Sequence, residues 1–224
     1  MDRDFSRHVY RWTFLALCAV VLSAGAGCAV IPMFVWSFTD GKDVQPEYTE
    51  NGGLEGKRVV VVCRATGISS FSPENVHAPA KLAEAISKLL KANVDDIEIV
   101  DPRKVADWTD HNPDQPYAEI GEALKADVVV GIDLDEFRLQ KGQTLYYGEA
   151  QVTLRVYDLK SDEPGEAPWT KTIPQMEFPP LGPVAATGKL GKFRRKFISV
   201  LADQIARKFY AHESNKSIAQ AGAW

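Results

Sequence analysis

The stretch Tyr117–Lys160 constrains the fold more than any other part of the chain, because the period of its hydrophobic pattern changes along it. Its first residues predict a short helix over Tyr117–Lys125, and the apolar run Asp127–Leu134 predicts a buried strand. From Tyr146 to Asp158 apolar and polar residues alternate, which is typical of an antiparallel strand with one solvated face. A buried strand beside a half-exposed strand predicts a mixed sheet with helices packed on it.

Further elements flank this stretch and complete the predicted domain. Arg58–Cys63 is a second continuous apolar run, which predicts another central strand covered on both faces. Three more helices are predicted, over Ala78–Val94, from Asp101 to Trp108 and over Lys189–His212. Two short strands are predicted over Ile97–Val100 and Trp169–Ile173. We therefore expect a single, three-layer-like α/β (α+β) domain whose mixed sheet has about five strands.

Composition restricts the class of protein. The 224 residues are 45% hydrophobic and 25% charged, which is typical of a globular protein and excludes wholesale disorder. The net charge of −4 gives no field that favours nucleic acid, so we expect no nucleic-acid partner. The four His residues are spread along the chain, and we expect neither a metal site nor a cofactor.

Known catalytic motifs do not occur in the sequence. The patterns G-x-S-x-G, H-E-x-x-H, paired C-x-x-C and the phosphate-binding Walker motif are missing, so we expect the protein not to be an enzyme. Of the three cysteines, Cys63 lies inside an apolar run, where we expect it to pack as a small buried hydrophobe.

The N-terminus carries the three marks of a secretory signal. Its basic start contains Arg3, Arg7 and Arg11. Trp12–Leu22 is an apolar run of signal-peptide length, and small residues follow it up to Cys28. Such a segment directs a chain out of the cytoplasm, so we expect the body of the protein at the extracytoplasmic face of a membrane in the cell envelope.

The end of this segment resembles the lipobox of bacterial lipoproteins, in which two small residues precede a Cys that is acylated and becomes the new N-terminus. Ala26-Gly27-Cys28 fits that motif, although Gly25 stands where the family usually has an aliphatic residue. The resemblance implies a lipid on Cys28 that holds the protein to a membrane, and Ala29 after it favours the outer over the inner membrane. Two alternatives stay open: an ordinary signal peptidase recognising Ala24-x-Ala26, and an uncleaved anchor over Phe14–Ile31.

These features divide the chain into four predicted segments. Residues 1–28 are a lipoprotein signal peptide or an N-terminal membrane anchor. Residues 29–56 are a membrane-proximal segment and a flexible spacer rich in Gly, Asp and Glu. Residues 57–212 form the α/β domain, and residues 213–224 form a frayed tail.

An acidic turn is the candidate for ligand binding. Asp133 and Asp135 lie two residues apart on a predicted strand, so their carboxylates share a face, and Glu136 is adjacent. Two close carboxylates can hold a cation or act as an acid–base pair. The loop Ala65–Asn75 follows a central strand at its carboxyl end, where open α/β sheets often bind ligands. The alternative interpretations are a solvated strand end and a plain connecting loop.

Two further charged clusters are interpreted as solvated surfaces. One has oxygen and nitrogen ligands but no known metal-binding spacing: Asp107, Asp110, His111 and Asp114. The other is a basic face of the last helix that suits anionic lipid heads or an acidic partner: Lys192, Arg195, Lys196 and Arg207.

Two motifs give the predicted domain a family resemblance: Gly121-x-x-Leu124-x-Ala126-Asp127, and Val152-x-Leu154-x-Val156-x-Asp158 followed by Trp169. They resemble the periplasmic α/β domain of the curli-secretion lipoprotein, of the outer-membrane activators of penicillin-binding proteins, and of the N-terminal part of the Tol translocation protein. The chain also resembles an uncharacterised bacterial lipoprotein family, through Gly56-Lys57-Arg58-Val59, Gly142-Gln143-Thr144-Leu145-Tyr146 and Phe193-Arg194-Arg195. The resemblance implies the α/β fold and supplies no catalytic residues.

The sequence thus predicts a membrane-anchored extracytoplasmic lipoprotein that acts by contact with an envelope protein, as an auxiliary of assembly or transport. One alternative is an oligomeric secretion or pore subunit, which needs additional amphipathic strands of about 10 residues each. Another is a small-ligand or metal-binding domain that uses the loop 65–75 with Asp133 and Asp135.

Overall fold

A mixed sheet lies at the centre of the fold in a computed structural model, which describes residues 43–66, 75–160 and 168–214. The strands of the described residues are β1 (Asp43–Val44), β2 (Arg58–Ala65), β3 (Glu98–Ile99), β4 (Val128–Lys141), β5 (Leu145–Asp158), β6 (Trp169–Phe178), β7 (Val184–Ala185) and β8 (His212–Glu213). The α-helices are α1 (Ala78–Asn93), α2 (Pro102–His111), α3 (Tyr117–Ala123) and α4 (Leu190–Ala206). A short 3₁₀ helix covers Glu50–Gly52.

The sheet has a parallel centre and an antiparallel flank, as the change of period in Tyr117–Lys160 predicts. Its strand order is β3-β2-β4-β5-β6, with β7 added beside β5. β2 pairs in parallel with β3 and β4, whereas β4–β5 and β5–β6 are antiparallel. The predicted mixed sheet in an α/β fold is therefore confirmed, with six strands in the described part rather than about five.

Helices cover the parallel centre on both faces, which gives the predicted three layers. α1 and α4 pack on one face over the larger core, which includes Val59, Val61 and Val130. α2 and α3 pack on the other face over a smaller core that includes Val60, Val62 and Val129. Consecutive residues of β2 thus enter opposite cores, which explains why its sequence is apolar without alternation.

β4 and β5 form a longer hairpin than the sequence predicts. β4 runs on past Leu134 to Lys141, through register shifts at Leu134/Glu136 and Arg138/Gln140. The extension brings Phe137 under α4, where its ring stacks on Phe197 at 5.4 Å between centroids. A turn at residues 142–144 joins the two strands, with Gly142 at a φ of 67°.

Other element boundaries differ by a few residues. Asp101 caps α2, since its side chain accepts a hydrogen bond from the Arg103 amide, and the helix continues to His111 rather than Trp108. β6 continues past Ile173 to Phe178. It passes Pro174 because β6 is at the edge of the sheet and its register shifts there, so no ladder hydrogen bond is needed from Pro.

α4 ends at Ala206 rather than at His212, although the apolar residues that recur every four positions in the predicted range are all buried: Phe193, Phe197, Leu201, Ile205 and Phe209. After the helix, His212 and Glu213 pair with β1. The predicted frayed tail is therefore wrong at Glu213, and the remainder from residue 215 lies outside the described residues.

The domain begins at Asp43 rather than at Lys57, so the predicted flexible spacer is wrong for residues 43–56. Tyr48 and Leu54 are fully buried in the larger core. The Tyr48 ring makes edge contacts with Trp169 at 5.5 Å and Phe209 at 5.9 Å between centroids. An isolated aromatic and an isolated Leu in a polar segment have no period, which is why the sequence pattern does not reveal them.

The predictions for residues 1–42, including the signal segment, Cys28 and the alternative anchor, lie outside the described residues. Within the part that the structure describes, none of the helices has the length and apolar character needed to cross a bilayer.

Candidate functional site at the carboxyl end of β2

The predicted ligand-binding residues lie where β2 and β4 run side by side. Arg64 of β2 is paired with Asp133 of β4, and the Thr66 amide donates to the Leu134 carbonyl at 3.1 Å. The chain leaves β2 for α1 on one face and reaches β4 from α2 and α3 on the other. This is a topological switch point, the place where open α/β sheets bind ligands. Residues 67–74 of the predicted loop lie outside the described residues.

Asp133 is buried, so its interpretation as the solvated end of a strand is wrong. It is 4% exposed, forms an ion pair with Arg155 of β5, and accepts a hydrogen bond from the Tyr117 hydroxyl at 2.7 Å. The burial follows from the continuation of β4, which places Asp133 inside the ladder rather than at its end. A buried carboxylate is stable when it is paired and hydrogen-bonded in this way.

Asp135 and Glu136 are held by other protein groups. The two Asp135 oxygens accept from the Thr66 hydroxyl at 2.7 Å and the Thr153 hydroxyl at 2.9 Å. Glu136 forms an ion pair with Arg138 at 2.5 Å. The structure thus brings Thr66, the first residue past β2, against the predicted acidic residues.

Arg64 also lies at this site, although the sequence pattern does not single it out. Its guanidinium lies 4.6 Å from the centre of the Tyr117 ring and donates to the Gln115 carbonyl at 2.5 Å. Its Nε and second Nη atoms are buried and have no hydrogen-bond partner within the described structure. The one available signal is an Arg directly after the apolar run of β2.

Tyr117 connects Arg64 to the Asp133–Arg155 ion pair, and its ring fits there because β4 has a glycine beneath it. A Cβ atom at Gly131 would lie 2.8 Å from the Tyr117 ring, so a larger residue there would displace it. With the ring in place, its face meets Arg64 and its hydroxyl meets Asp133. Contacts that run from Arg64 through Tyr117 and Asp133 to Arg155 thus join β2, the start of α3, β4 and β5.

The structure also locates most of the other residues that the sequence singles out. Cys63 is buried, and burial raises the pKa of its thiol, which disfavours the nucleophilic thiolate. Asp107, Asp110 and His111 lie on α2, and no group of three or more metal-ligating side chains occurs within the described residues. Arg207 is not part of a free basic face, since its Nε donates to Asp203 at 2.8 Å and an Nη to the Glu213 carbonyl at 3.3 Å.

A second candidate surface is the groove between α1 and α4, which has a volume of about 670 Å³. Its apolar residues are Ala85, Leu89, Ile198 and Ala202, and its charged residues are Lys81, Glu84, Lys88, Arg194 and Arg195. Lys81 and Lys88 both bind Glu84, at 2.8 and 2.7 Å, and their hydrogen bonds lower the pKa of that carboxyl to about 2. We call this surface the α1–α4 groove.

No protein-family model and no curated protein matches the chain. Several solved structures are similar to it at low identity. The PelC dodecamer from Paraburkholderia phytofirmans is 14% identical, with 75% of this chain and 96% of that chain covered and a TM-score of 0.40. Lipoprotein GNA1162 from Neisseria meningitidis is 14% identical, with 66% and 97% covered and a TM-score of 0.40. A minor lipoprotein from Acinetobacter baumannii is 13% identical, with 70% and 92% covered and a TM-score of 0.36. Likenesses of this size assign the chain neither to a family nor to an activity.

Proposed function

We propose that this protein is a membrane-anchored, extracytoplasmic lipoprotein that acts by binding another protein of the cell envelope and performs no catalysis of its own. The observation that carries the proposal is the apolar run Trp12–Leu22 followed by Ala26-Gly27-Cys28. An acyl chain on Cys28 adds about 0.8 kcal/mol of membrane affinity for each buried CH₂ group, so several chains give a firm anchor.

The domain boundary supports this arrangement, because the folded domain begins at Asp43, after the signal segment and Cys28 in the sequence.

The state of the acidic residues at the switch point supports a scaffold role. The side chains of Asp133, Asp135 and Glu136 each bind cations or hydroxyls of the protein itself. Their oxygens therefore stabilise the sheet, and a ligand would have to displace these contacts before it could bind them.

Mass spectrometry of the mature protein from membranes tests the anchor. We expect an N-terminus at Cys28 that carries acyl chains, and we expect Cys28→Ser to lose both the lipid and the processing. An intact Met1 would contradict the lipoprotein and support an uncleaved anchor, and a free N-terminus at Gly27 would support simple secretion.

Cross-linking in intact cells, followed by purification in mild detergent, tests the contact with a partner. We expect one envelope protein to be recovered with the wild-type protein in an amount that Cys28→Ser reduces. Recovery of no cross-linked protein at all would contradict the proposal.

A further inference from the structure

We propose that the α1–α4 groove is the docking site for an acidic amphipathic helix of the partner protein; this rests on the proposed function and names the chemistry of its partner. The first support is shape. α1 and α4 have 16 and 17 residues and lie side by side, so an apolar channel of about three helical turns runs between them. A third helix that places its apolar face over two others is a common mode of peptide recognition.

The two helices run in the same direction. Their C-terminal ends meet in another recess, which contains Asn93–Asp95 and Phe209–Ala211. Their N-terminal ends meet at His77, Lys81 and Gly191, which all line the α1–α4 groove. One end of the groove therefore lies at the N-termini of both α1 and α4.

The charge of the groove is opposite to that of the whole chain. Four of its lining side chains are cations, Lys81, Lys88, Arg194 and Arg195, and Glu84 is the single carboxylate among them. The whole chain has a net charge of −4, so this basic surface is a local feature. The Arg194 Nε is buried and has no hydrogen-bond partner within the described structure.

The helix N-termini strengthen this positive potential. Neither α1 nor α4 has a side-chain cap, and neither has an acidic residue in its first turn. Each helix N-terminus carries about half a positive charge and therefore repels the basic side chains near it. A bound anion would reduce this repulsion. Carboxylates of a docked helix would relieve this repulsion, whereas a basic or neutral helix would not.

The test uses the full chain in detergent and a labelled peptide of about 16 residues, with Leu at helical spacing on one face and Glu elsewhere. Fluorescence anisotropy gives the affinity. We expect Lys88→Gln with Arg195→Glu to weaken binding by about tenfold or more. The matched control is Lys91→Gln with Lys192→Glu, which makes the same charge change on the same helices outside the groove and should weaken binding by less than about threefold.

The inference is overturned if the wild-type protein does not bind the peptide, if the two variants lose affinity equally, or if a peptide with Lys in place of Glu binds with equal affinity. Stronger retention on vesicles of phosphatidylglycerol and phosphatidylcholine, lost in the Lys88 and Arg195 variant alone, would assign the groove to the membrane instead. If the variant Lys88→Gln with Arg195→Glu still recovers the cross-linked envelope protein at wild-type level, the assignment of the docking site to the α1–α4 groove is wrong. The proposed function would not be affected by that result.

Discussion

At the scale of single residues, the fold depends on a few polar groups that the hydrophobic pattern of the sequence would place on the surface. Asp133 shows this most clearly, because it lies inside the sheet and balances Arg155. Its burial could not be predicted, since an Asp between a Val-rich strand and a second acidic residue has the pattern of a strand end. Its burial depends on the continuation of β4 past Leu134 and on Tyr117 and Arg155, which reach it from α3 and β5.

Replacement of Asp133 should reduce stability. Asp133→Asn keeps the shape but removes the charge that faces Arg155, whose side chain is 39% exposed and can gain some water. We therefore expect a loss of about 1–3 kcal/mol in the free energy of unfolding, measured by urea denaturation. The control Asp107→Asn, at a side chain 80% exposed, should change stability by no more than about 0.5 kcal/mol. Equal stability of the two variants would contradict the structural role of Asp133.

Gly148 is a position where packing leaves no room for a side chain. A Cβ atom there would lie 2.7 Å from the Phe197 ring, whereas a Cβ atom at Gly188 meets nothing within 4 Å. Gly148→Ala should therefore destabilise the protein by about 1–3 kcal/mol, and Gly188→Ala should be near neutral. Thermal unfolding of the two variants side by side measures the difference, and a neutral Gly148→Ala would show that α4 is not seated on β5 as described.

At the scale of elements, periodic segments were predictable and aperiodic ones were not. The strands β2 and β4 and the helices α1 and α4 follow from apolar spacing, because each places a continuous apolar face against the core. The segment 43–56 has no such spacing, and its place in the fold depends on single side chains that reach a core built by residues far away in sequence. Boundaries were also uncertain where tertiary contact extends an element, as in β4.

Tyr48 tests whether the segment before β2 belongs to the domain. Tyr48→Ala removes a fully buried ring and should cost about 3 kcal/mol or more. Tyr48→Phe is the matched control, because the hydroxyl it removes is buried without a hydrogen-bond partner within the described structure. We expect Tyr48→Phe to be as stable as the wild type or slightly more stable by urea denaturation. Equal midpoints for Tyr48→Ala and wild type would restore the interpretation of a flexible spacer.

At the scale of the whole molecule, the class of the fold was predictable and the composition of the candidate site was predictable only in part. The acidic residues and the loop were expected together, and Thr66 does meet Asp135. Arg64, Tyr117 and Arg155 could not be placed there from one sequence, because each comes from a different element and the topology alone brings them together.

The stability of the whole molecule should fall in acid partly through Glu47. Hydrogen bonds from Lys208 and Lys171 lower the pKa of the Glu47 carboxyl, against a smaller opposing effect of burial. Since the pKa is lower in the folded state, its contribution is present above the unfolded pKa of about 4.3 and is lost as pH falls through the folded value. Glu47 forms ion pairs with Lys208 and with Lys171. These two ion pairs link the segment before β2 to the residues after α4 and to β6.

A double-mutant cycle of Glu47→Gln and Lys208→Gln measures this pair. Because Glu47 is about one-third exposed and water screens the pair, we expect a coupling of about 0.2–1 kcal/mol at pH 7. The coupling should disappear at a pH below the folded pKa of Glu47. A coupling that is the same at pH 7 and in strong acid would show that the two side chains interact by packing and not by charge.

The antiparallel pairing of β1 with β8 also determines how the protein responds to mechanical force. Asp43 is paired with Glu213, so the two ends of the domain leave the fold side by side. A pull between the chain before Asp43 and the chain after residue 214 would act on this two-residue ladder as an unzipping force, which breaks its hydrogen bonds one at a time. The large sheet and its helices lie outside that line of tension. The domain should therefore lose its first and last strands at low force and keep its body folded under load.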